Sequence, residues 1–131
     1  MIFPAITAQY AAVLALLFFV LAIRVVRLRL KTRTPFGDGD DAALQRAIRI
    51  HANFAEWVPF TVLLVGALEA SGESGTVIHA LAGTLLAARV VHAVALGLDV
   101  RSRLYRAGRI FGSLATSFIL AGTAITLLIR L

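Results

Sequence analysis

The feature that most constrains this chain is an uncharged apolar run close to its start. The run extends from Ala5 to Ile23, a length of 19 residues, and ends at Arg24. A helix of about 20 apolar residues is long enough to cross a lipid bilayer. A secretory signal peptide has the opposite order, with a basic start and a small-residue end. The run therefore predicts a retained first transmembrane helix.

Three further segments of similar length follow, and the sequence predicts helices over residues 5–29, 42–70, 76–98 and 105–129. Hydrophobic residues make up 60% of the 131 residues, above the about 45–50% typical of soluble domains. Four spans of about 20 residues leave room only for short loops. We predict an all-α polytopic membrane protein, with residues 1–131 forming a single four-helix transmembrane domain. Asp40 or Asp41 is suited to cap the second helix.

Lysine and arginine are concentrated in two of the three connections. The first connection holds five and the third holds four: Arg24, Arg27, Arg29, Lys31 and Arg33, then Arg101, Arg103, Arg106 and Arg109. Because basic residues mark cytoplasmic loops, both connections should face the cytoplasm and both termini the opposite side. The net charge of +6 is thus explained by topology. No recognisable nucleic-acid-binding module accompanies it, so we expect no nucleic-acid partner.

The sequence contains no cysteine and only three histidines, which lie far apart. Without a thiolate the chain has no disulfide, no thiolate metal site and no cysteine nucleophile. The histidines make no metal-ligand spacing with one another, so we expect no metal. Any thiol chemistry must therefore use a thiol that a ligand supplies.

The first half of the second predicted helix is unusually polar for a membrane span. Its polar residues Arg46, Arg49, Asn53 and Glu56 are spaced by 3, 4 and 3 residues. At 3.6 residues per turn this spacing places them on one helical face. A charge at the bilayer centre costs at least ~2.5–3.5 kcal/mol and normally faces a partner. The stripe therefore indicates a polar ligand or a paired network.

Arg89 and His92 lie one turn apart in the third predicted helix, which runs antiparallel to the second. The predicted orientation puts both at the depth of the stripe, so we expect a basic cavity that opens to the cytoplasm. Two plainer interpretations remain open. Glu56 can pair with Arg49 or Arg89 and simply hold the bundle together, and Arg46 can extend its charge to the membrane interface.

Small residues recur at four-residue spacing in the last two helices, at Gly83 and Ala87 and again at Gly108 and Gly112. Such spacing lets neighbouring helix backbones approach closely. It predicts a tightly packed bundle and is only weak evidence for a ligand site.

The residues from Arg49 to Pro59 resemble the signature of the MAPEG superfamily, the membrane-associated proteins in eicosanoid and glutathione metabolism. The motif reads Arg49-x-His51-x-Asn53-x-x-Glu56-Trp57-x-Pro59. Three shorter patterns resemble the bacterial branch: Gly37-Asp38-Gly39, Arg-x-x-His-Ala from Arg89 to Ala93, and Arg-x-x-Gly-x-x-x-Thr from Arg109 to Thr116. The resemblance covers nearly the whole chain in order, and the first motif is the specific one.

The resemblance implies a homotrimer of four-helix bundles in a bacterial inner membrane, with active sites between subunits on the cytoplasmic side. It favours an enzyme that uses glutathione as co-substrate against a lipophilic electrophile or hydroperoxide. By this resemblance, the residues expected to line the glutathione cavity are Arg46, Arg49, Asn53, Glu56, Trp57, Arg89 and His92. The next subunit is expected to contribute Arg24, Arg27 and His51.

The thiol-activating arginine of the family sits near the start of helix four, where four arginines compete. Arg109 is preferred because it belongs to the Arg-x-x-Gly pattern, and Arg103 is the second choice. Two positions depart from the family, since Trp57 and Leu96 stand where the family has tyrosine. Indole donates one hydrogen bond and accepts none, which weakens the expectation of tight glutathione binding.

Two functions without catalysis stand beside the enzyme. In a binding or transport module, the intramembrane Glu56 would serve as a proton-coupled cation site, although the surrounding arginines favour an anion. In a structural membrane trimer, the charged residues would only specify assembly.

Overall fold

A computed structural model describes residues 3–130 of the chain, which form four helices joined by short loops. The helices are α1 (Ala5–Thr32), α2 (Ala42–Ala70), α3 (Gly75–Ala95) and α4 (Arg103–Arg130). All four are long and apolar enough to cross a membrane, and residues 3–130 contain no strand. The predicted all-helical membrane fold is confirmed.

The observed helix ends differ from the predicted ends by no more than three residues. α3 ends at Ala95 because the next turn tightens, with the N–H groups of Gly97 and Leu98 donating to carbonyls three residues back at 2.9 Å. α1 continues to Thr32 and ends where Arg33 adopts the left-handed conformation, with φ 54°.

Side chains in the loops begin the other three helices. Asp41, Ser74 and Ser102 each accept a hydrogen bond from the backbone N–H three residues later, at 2.7, 3.4 and 3.0 Å respectively. These oxygens satisfy N–H groups that have no partner inside the helix. Of the two candidates for the start of α2, Asp41 is therefore the cap, and Asp40 lies in the preceding turn with φ 59°.

α1 has no side-chain cap of its own and is instead capped by another helix. Glu69, in the last turn of α2, accepts hydrogen bonds from the N–H groups of Ile6 at 2.9 Å and Thr7 at 2.7 Å. The positive end of a helix dipole also favours a carboxylate there. Glu69 is only 9% exposed, and the two N–H groups compensate its buried charge. It joins the start of α1 to the end of α2.

The helices pack so that α2 and α3 lie between α1 and α4. α1 packs on α2 and α3, α4 packs on the same two helices, and no described residue of α1 contacts α4. The core between them is apolar and includes Leu14, Phe54, Val58, Val65, Ile78, Leu85 and Ile119. α3 and α4 approach closely, because a Cβ placed on Gly108 would lie 2.6 Å from that of Ala95. The tight packing predicted from small residues is confirmed here.

An ion pair ties the α2–α3 connection to the end of α4. Arg130 Nη2 lies 2.6 Å from Glu73 Oε2, and the Ser74 N–H donates to the same carboxylate at 2.8 Å. The Ser74 N–H first, and then the Arg130 charge, lower the pKa of Glu73 below its usual value. Because the pKa is lowered, the contribution to stability is present at neutral pH and is lost as the pH falls through that lowered value.

We expect Glu69→Ala to destabilise the bundle more than Glu73→Ala does. The first change leaves two N–H groups without their acceptor, at about 1–3 kcal/mol for each buried group, whereas Glu73 lies in a loop. Unfolding of the purified protein in detergent, followed by circular dichroism, measures the difference. Glu69→Gln, which keeps one acceptor oxygen, should fall between wild type and Glu69→Ala. Equal stability of the two alanine variants would contradict the capping role.

Candidate functional site

Arg89 of α3 joins three helices at the centre of the bundle. Its side chain is 2% exposed. One guanidinium nitrogen donates to Asn53 Oδ1 of α2 at 3.0 Å, and the other donates to the backbone carbonyl of Gly112 in α4. Because a charge inside a membrane requires compensation, these two acceptors explain how the arginine is accommodated.

Gly112 is the position in α4 that lets this contact form. A Cβ there would lie 2.5 Å from His92 Cβ, 2.8 Å from His92 Nδ1 and 2.9 Å from the Ala88 carbonyl oxygen. These distances are too short for any side chain, so α4 approaches α3 at this depth only through glycine. The Thr116 hydroxyl also donates to the Gly112 carbonyl, at 2.9 Å. The Arg-x-x-Gly-x-x-x-Thr pattern therefore contains two residues of one hydrogen-bonded network.

His92 lies beside this network and is also buried, at 5% exposure. Within residues 3–130, neither His92 Nδ1 nor Arg89 Nε has a hydrogen-bond partner. The gap that these residues enclose with Asn53, Leu21 and Phe54 is too small to admit a ligand. The buried network therefore holds helices together and does not itself form a binding cavity.

Arg46 and Arg49 line a separate, open groove between the start of α2 and the α3–α4 connection. The groove has a volume of about 250 Å³. Its lining residues are Ala42, Gln45, Arg46, Arg49, Ile50, Leu96, Val100 and Tyr105. Arg46 donates to the Leu98 carbonyl at 3.3 Å. Buried Ile50 borders both this groove and the Arg89 network, so the single predicted cavity is divided into two neighbouring features within one chain.

Glu56 and Trp57 lie outside both features. Glu56 is exposed, Trp57 is 37% exposed, and the helix continues outward with Phe60 at 58% and Leu63 at 62%. Within the described chain Glu56 forms no ion pair with Arg49 or Arg89. The interpretation of Glu56 as a pairing residue inside one bundle is therefore not supported. Beyond Asn53, this face of α2 carries Glu56 and then the apolar Phe60 and Leu63, and the chain's own helices leave these three exposed.

The remaining predicted residues are dispersed over the chain surface. The His51 ring stacks on Phe18 of its own α1, with centroids 4.6 Å apart and an interplanar angle of 16°, so one chain alone accounts for its packing. Arg24, Arg27, Arg103 and Arg109 are exposed, and none makes a side-chain hydrogen bond within the described residues. The structure brings Asn53, Arg89 and His92 together, and the backbone of Arg109 lies near His92.

Three groups that contribute to the buried network, the basic groove or the helix capping were not predicted in these roles from the sequence. The Gly112 carbonyl acts through its backbone, which no side-chain pattern reveals, although the glycine itself was noted for packing. Tyr105 lines the basic groove, and Glu69 caps α1 from the far end of α2. A buried acid in the last helical turn, where basic residues are favoured, is the signal that marks Glu69.

We expect Gly112→Ala to destabilise the protein, because its methyl group would displace His92 and lengthen the Arg89 contact. The expected loss is about 1–3 kcal/mol, as for other overpacked positions. Gly122→Ala is the matched control, because a Cβ there meets nothing within 4 Å. That change should be neutral or stabilising by up to about 1 kcal/mol. Denaturant unfolding in detergent measures both, and equal effects would contradict this role of Gly112.

Comparison with known proteins agrees with the sequence resemblance. The profile of the MAPEG family matches residues 7–129. The inner membrane protein YecN of Escherichia coli strain K12, and that of strain CFT073, are each 39% identical to the chain over 87 residues. That alignment covers 66% of this chain and 66% of each relative, just under two thirds of their length. With four membrane-spanning helices and a family match over almost its whole length, this integral membrane chain belongs to the MAPEG family.

Proposed function

We propose that the chain binds glutathione and uses its thiol against lipophilic electrophiles or hydroperoxides in a bacterial inner membrane. The observation that carries this proposal is the polar stripe of α2. Arg49 and Glu56 are two opposite charges on one face of a membrane span, and the described chain gives neither an ion-pair partner. Intramembrane charges require a partner, and glutathione carries both carboxylates and an ammonium group.

The proposed roles follow from the chemistry of each side chain. Arg49 would grip a glutathione carboxylate with two parallel hydrogen bonds, and Glu56 would accept from the amino group. Asn53 already gives its carbonyl oxygen to Arg89, which leaves its NH2 group to donate to the ligand. Arg46 and Tyr105, at the adjacent groove, would extend the binding surface toward the α3–α4 connection.

The reaction requires an activated thiolate. The thiol of glutathione, with a pKa of about 8.5 like free cysteine, would lose its proton more readily beside an arginine. Arg109 or Arg103 of α4 would supply that charge. The thiolate then attacks an electrophilic carbon and displaces its leaving group. With a hydroperoxide, the thiolate attacks the terminal oxygen, the O–O bond breaks, and the alkoxide takes up a proton to leave as an alcohol, which converts glutathione to its sulfenic acid. The thiol of a second glutathione then attacks that sulfur and releases water, which gives the disulfide.

The proposal includes a homotrimer whose subunits complete the site. The α2 face that carries Glu56, Phe60 and Leu63 is exposed in the single chain although it lies within a membrane span. A neighbouring copy would cover its apolar half, at Phe60 and Leu63, and supply groups such as Arg24 or Arg27 to the polar half. This arrangement would close a cavity that one chain leaves open.

One observation favours a purely structural trimer as the second candidate. Arg89, the most buried basic residue of the described chain, is held by hydrogen bonds to Asn53 and the Gly112 carbonyl without any ligand. In that case the charges would specify assembly only. The two candidates differ in whether glutathione stabilises the folded protein, since a ligand of the native state must raise its stability.

We expect millimolar glutathione to raise the unfolding temperature of the purified protein, and conjugation to a small aryl halide to be detectable. Arg49→Ala removes a charge-assisted hydrogen bond of about 1.5–3 kcal/mol, so glutathione affinity should fall about ten- to a hundredfold. Lys31→Ala, at an exposed position outside the stripe, is the control and should bind as wild type does. Absence of any thermal shift in the wild type would reject the enzyme and leave the structural trimer.

A further inference from the structure

An apolar furrow runs between α3 and α4 on the outside of the bundle. Its volume is about 500 Å³. Its walls are Val90, Val91, Val94 and Leu98 on one side and Leu104, Ala107 and Phe111 on the other, with Ala95 and Gly108 between them. The floor is formed at a close approach of the two helices, since a Cβ on Gly108 would lie 2.6 Å from that of Ala95. The furrow is thus a fixed consequence of the glycine contact.

The furrow runs in the direction of a lipid acyl chain and covers about two thirds of the hydrocarbon depth of one leaflet. The α4 residues that line it extend from Leu104 to Phe111, which at 1.5 Å per residue corresponds to about 10 Å. One leaflet contributes about half of a hydrocarbon core roughly 30 Å thick. The furrow follows the helix axes and therefore runs across the leaflet rather than along the membrane plane.

Basic residues lie at one end of this furrow. In the sequence, Arg101 and Arg103 lie between the lining residues Leu98 and Leu104, and Arg106 follows in the first turn of α4. All three arginines are exposed. Asp99 is the acidic residue of the same connection, and one of its oxygens already accepts from the Arg101 backbone N–H at 2.9 Å. The end of the furrow at the α3–α4 connection is therefore net positive.

A second apolar groove in the same protein lacks this charge. It lies between α1 and α2 at the opposite end of the bundle and has a volume of about 680 Å³. Its lining residues are Phe3, Pro4, Thr7, Ala8, Ala11, Val62, Leu63, Gly66, Ala67 and Ala70. The lining of both grooves is uncharged, so the difference lies in the flanking residues. Residues 1–10 and 66–75, at the ends of the second groove, contain no lysine or arginine and include Glu69 and Glu73.

We propose that the α3–α4 furrow binds one acyl chain of an anionic phospholipid, whose phosphate is held by Arg101, Arg103 and Arg106. Arginine matches the geometry of phosphate oxygens, and basic clusters at the ends of membrane helices attract anionic headgroups at about 1 kcal/mol per residue. The furrow itself lies on α3 and α4, apart from the polar stripe of α2. Arg103 is shared with the proposed thiol activation, so the test below replaces Arg101 and Arg106 and leaves Arg103 in place.

The single tryptophan of the chain makes the site measurable by fluorescence. In the full-length protein, Trp57→Phe removes the native signal and Phe111→Trp places the one reporter in the furrow. The protein is reconstituted in vesicles that contain phosphatidylglycerol or phosphatidylcholine with brominated acyl chains, which quench a tryptophan that they touch. We expect brominated phosphatidylglycerol to quench this reporter with about tenfold higher affinity than phosphatidylcholine, equivalent to about 1.4 kcal/mol.

Two matched controls locate the preference. Ile125→Trp in the same Trp57→Phe background puts the reporter on exposed α4 surface away from the furrow and should show equal affinity for the two lipids. Arg101→Gln with Arg106→Gln should abolish the preference that the furrow reporter shows for phosphatidylglycerol. Lys31→Gln with Arg33→Gln, which removes two charges elsewhere, should leave that preference intact.

Several results would overturn the proposal. Equal quenching by both lipids at the furrow reporter would show that the arginines confer no selectivity. No quenching there, with normal quenching at position 125, would show that a second copy of the chain covers the furrow. Loss of the preference on adding soluble glycerol phosphate would show that the arginines bind phosphate without the acyl chain. The comparison of the two lipids in the reporter protein still tests the proposal if the arginine variants fail to fold, because it uses no arginine substitution.

Discussion

The buried guanidinium of Arg89 is the interaction on which the arrangement of α2, α3 and α4 depends. It hydrogen-bonds an α2 side chain, Asn53, and an α4 backbone carbonyl, that of Gly112. Because a membrane interior offers no water to replace a lost partner, all three helices must stay in register for the charge to be tolerated. The absence of a side chain at Gly112 and the position of His92 follow from the same requirement.

A second buried charge, Glu69 in the last turn of α2, holds one end of the bundle in a comparable way. Glu69 accepts from the first N–H groups of α1, so a carboxylate in α2 replaces the cap that the sequence of α1 lacks. Arg89 links α2, α3 and α4, and Glu69 links α1 to α2. Together they connect all four helices through buried polar contacts, and the apolar side chains between these contacts form the core.

Much of this architecture could be predicted from the sequence, because apolar run length and charge placement report directly on membrane spans. The four helices, an aspartate cap at Asp40 or Asp41, and the proximity of Arg89 and His92 to Asn53 are examples. The partners of Arg89 and Glu69 could not be predicted, because both involve backbone groups. Glu56 was expected in a basic cavity that opens to the cytoplasm, yet within the described chain it lies on an exposed face of α2. Spacing defines a shared helical face but does not say whether that face meets its own bundle or another chain. The predicted orientation and trimer stay predictions for the same reason.

In this account, the buried Asn53–Arg89 contact holds the helices together, and the rest of the α2 stripe binds the ligand. A double-mutant cycle on the unfolding free energy, with Asn53→Ala, Arg89→Met and the double variant, tests this most directly. If the contact holds α2 against α3, the two changes are coupled by about 1–3 kcal/mol, as for a buried hydrogen bond to a charged group. Additivity within about 0.5 kcal/mol would contradict the account.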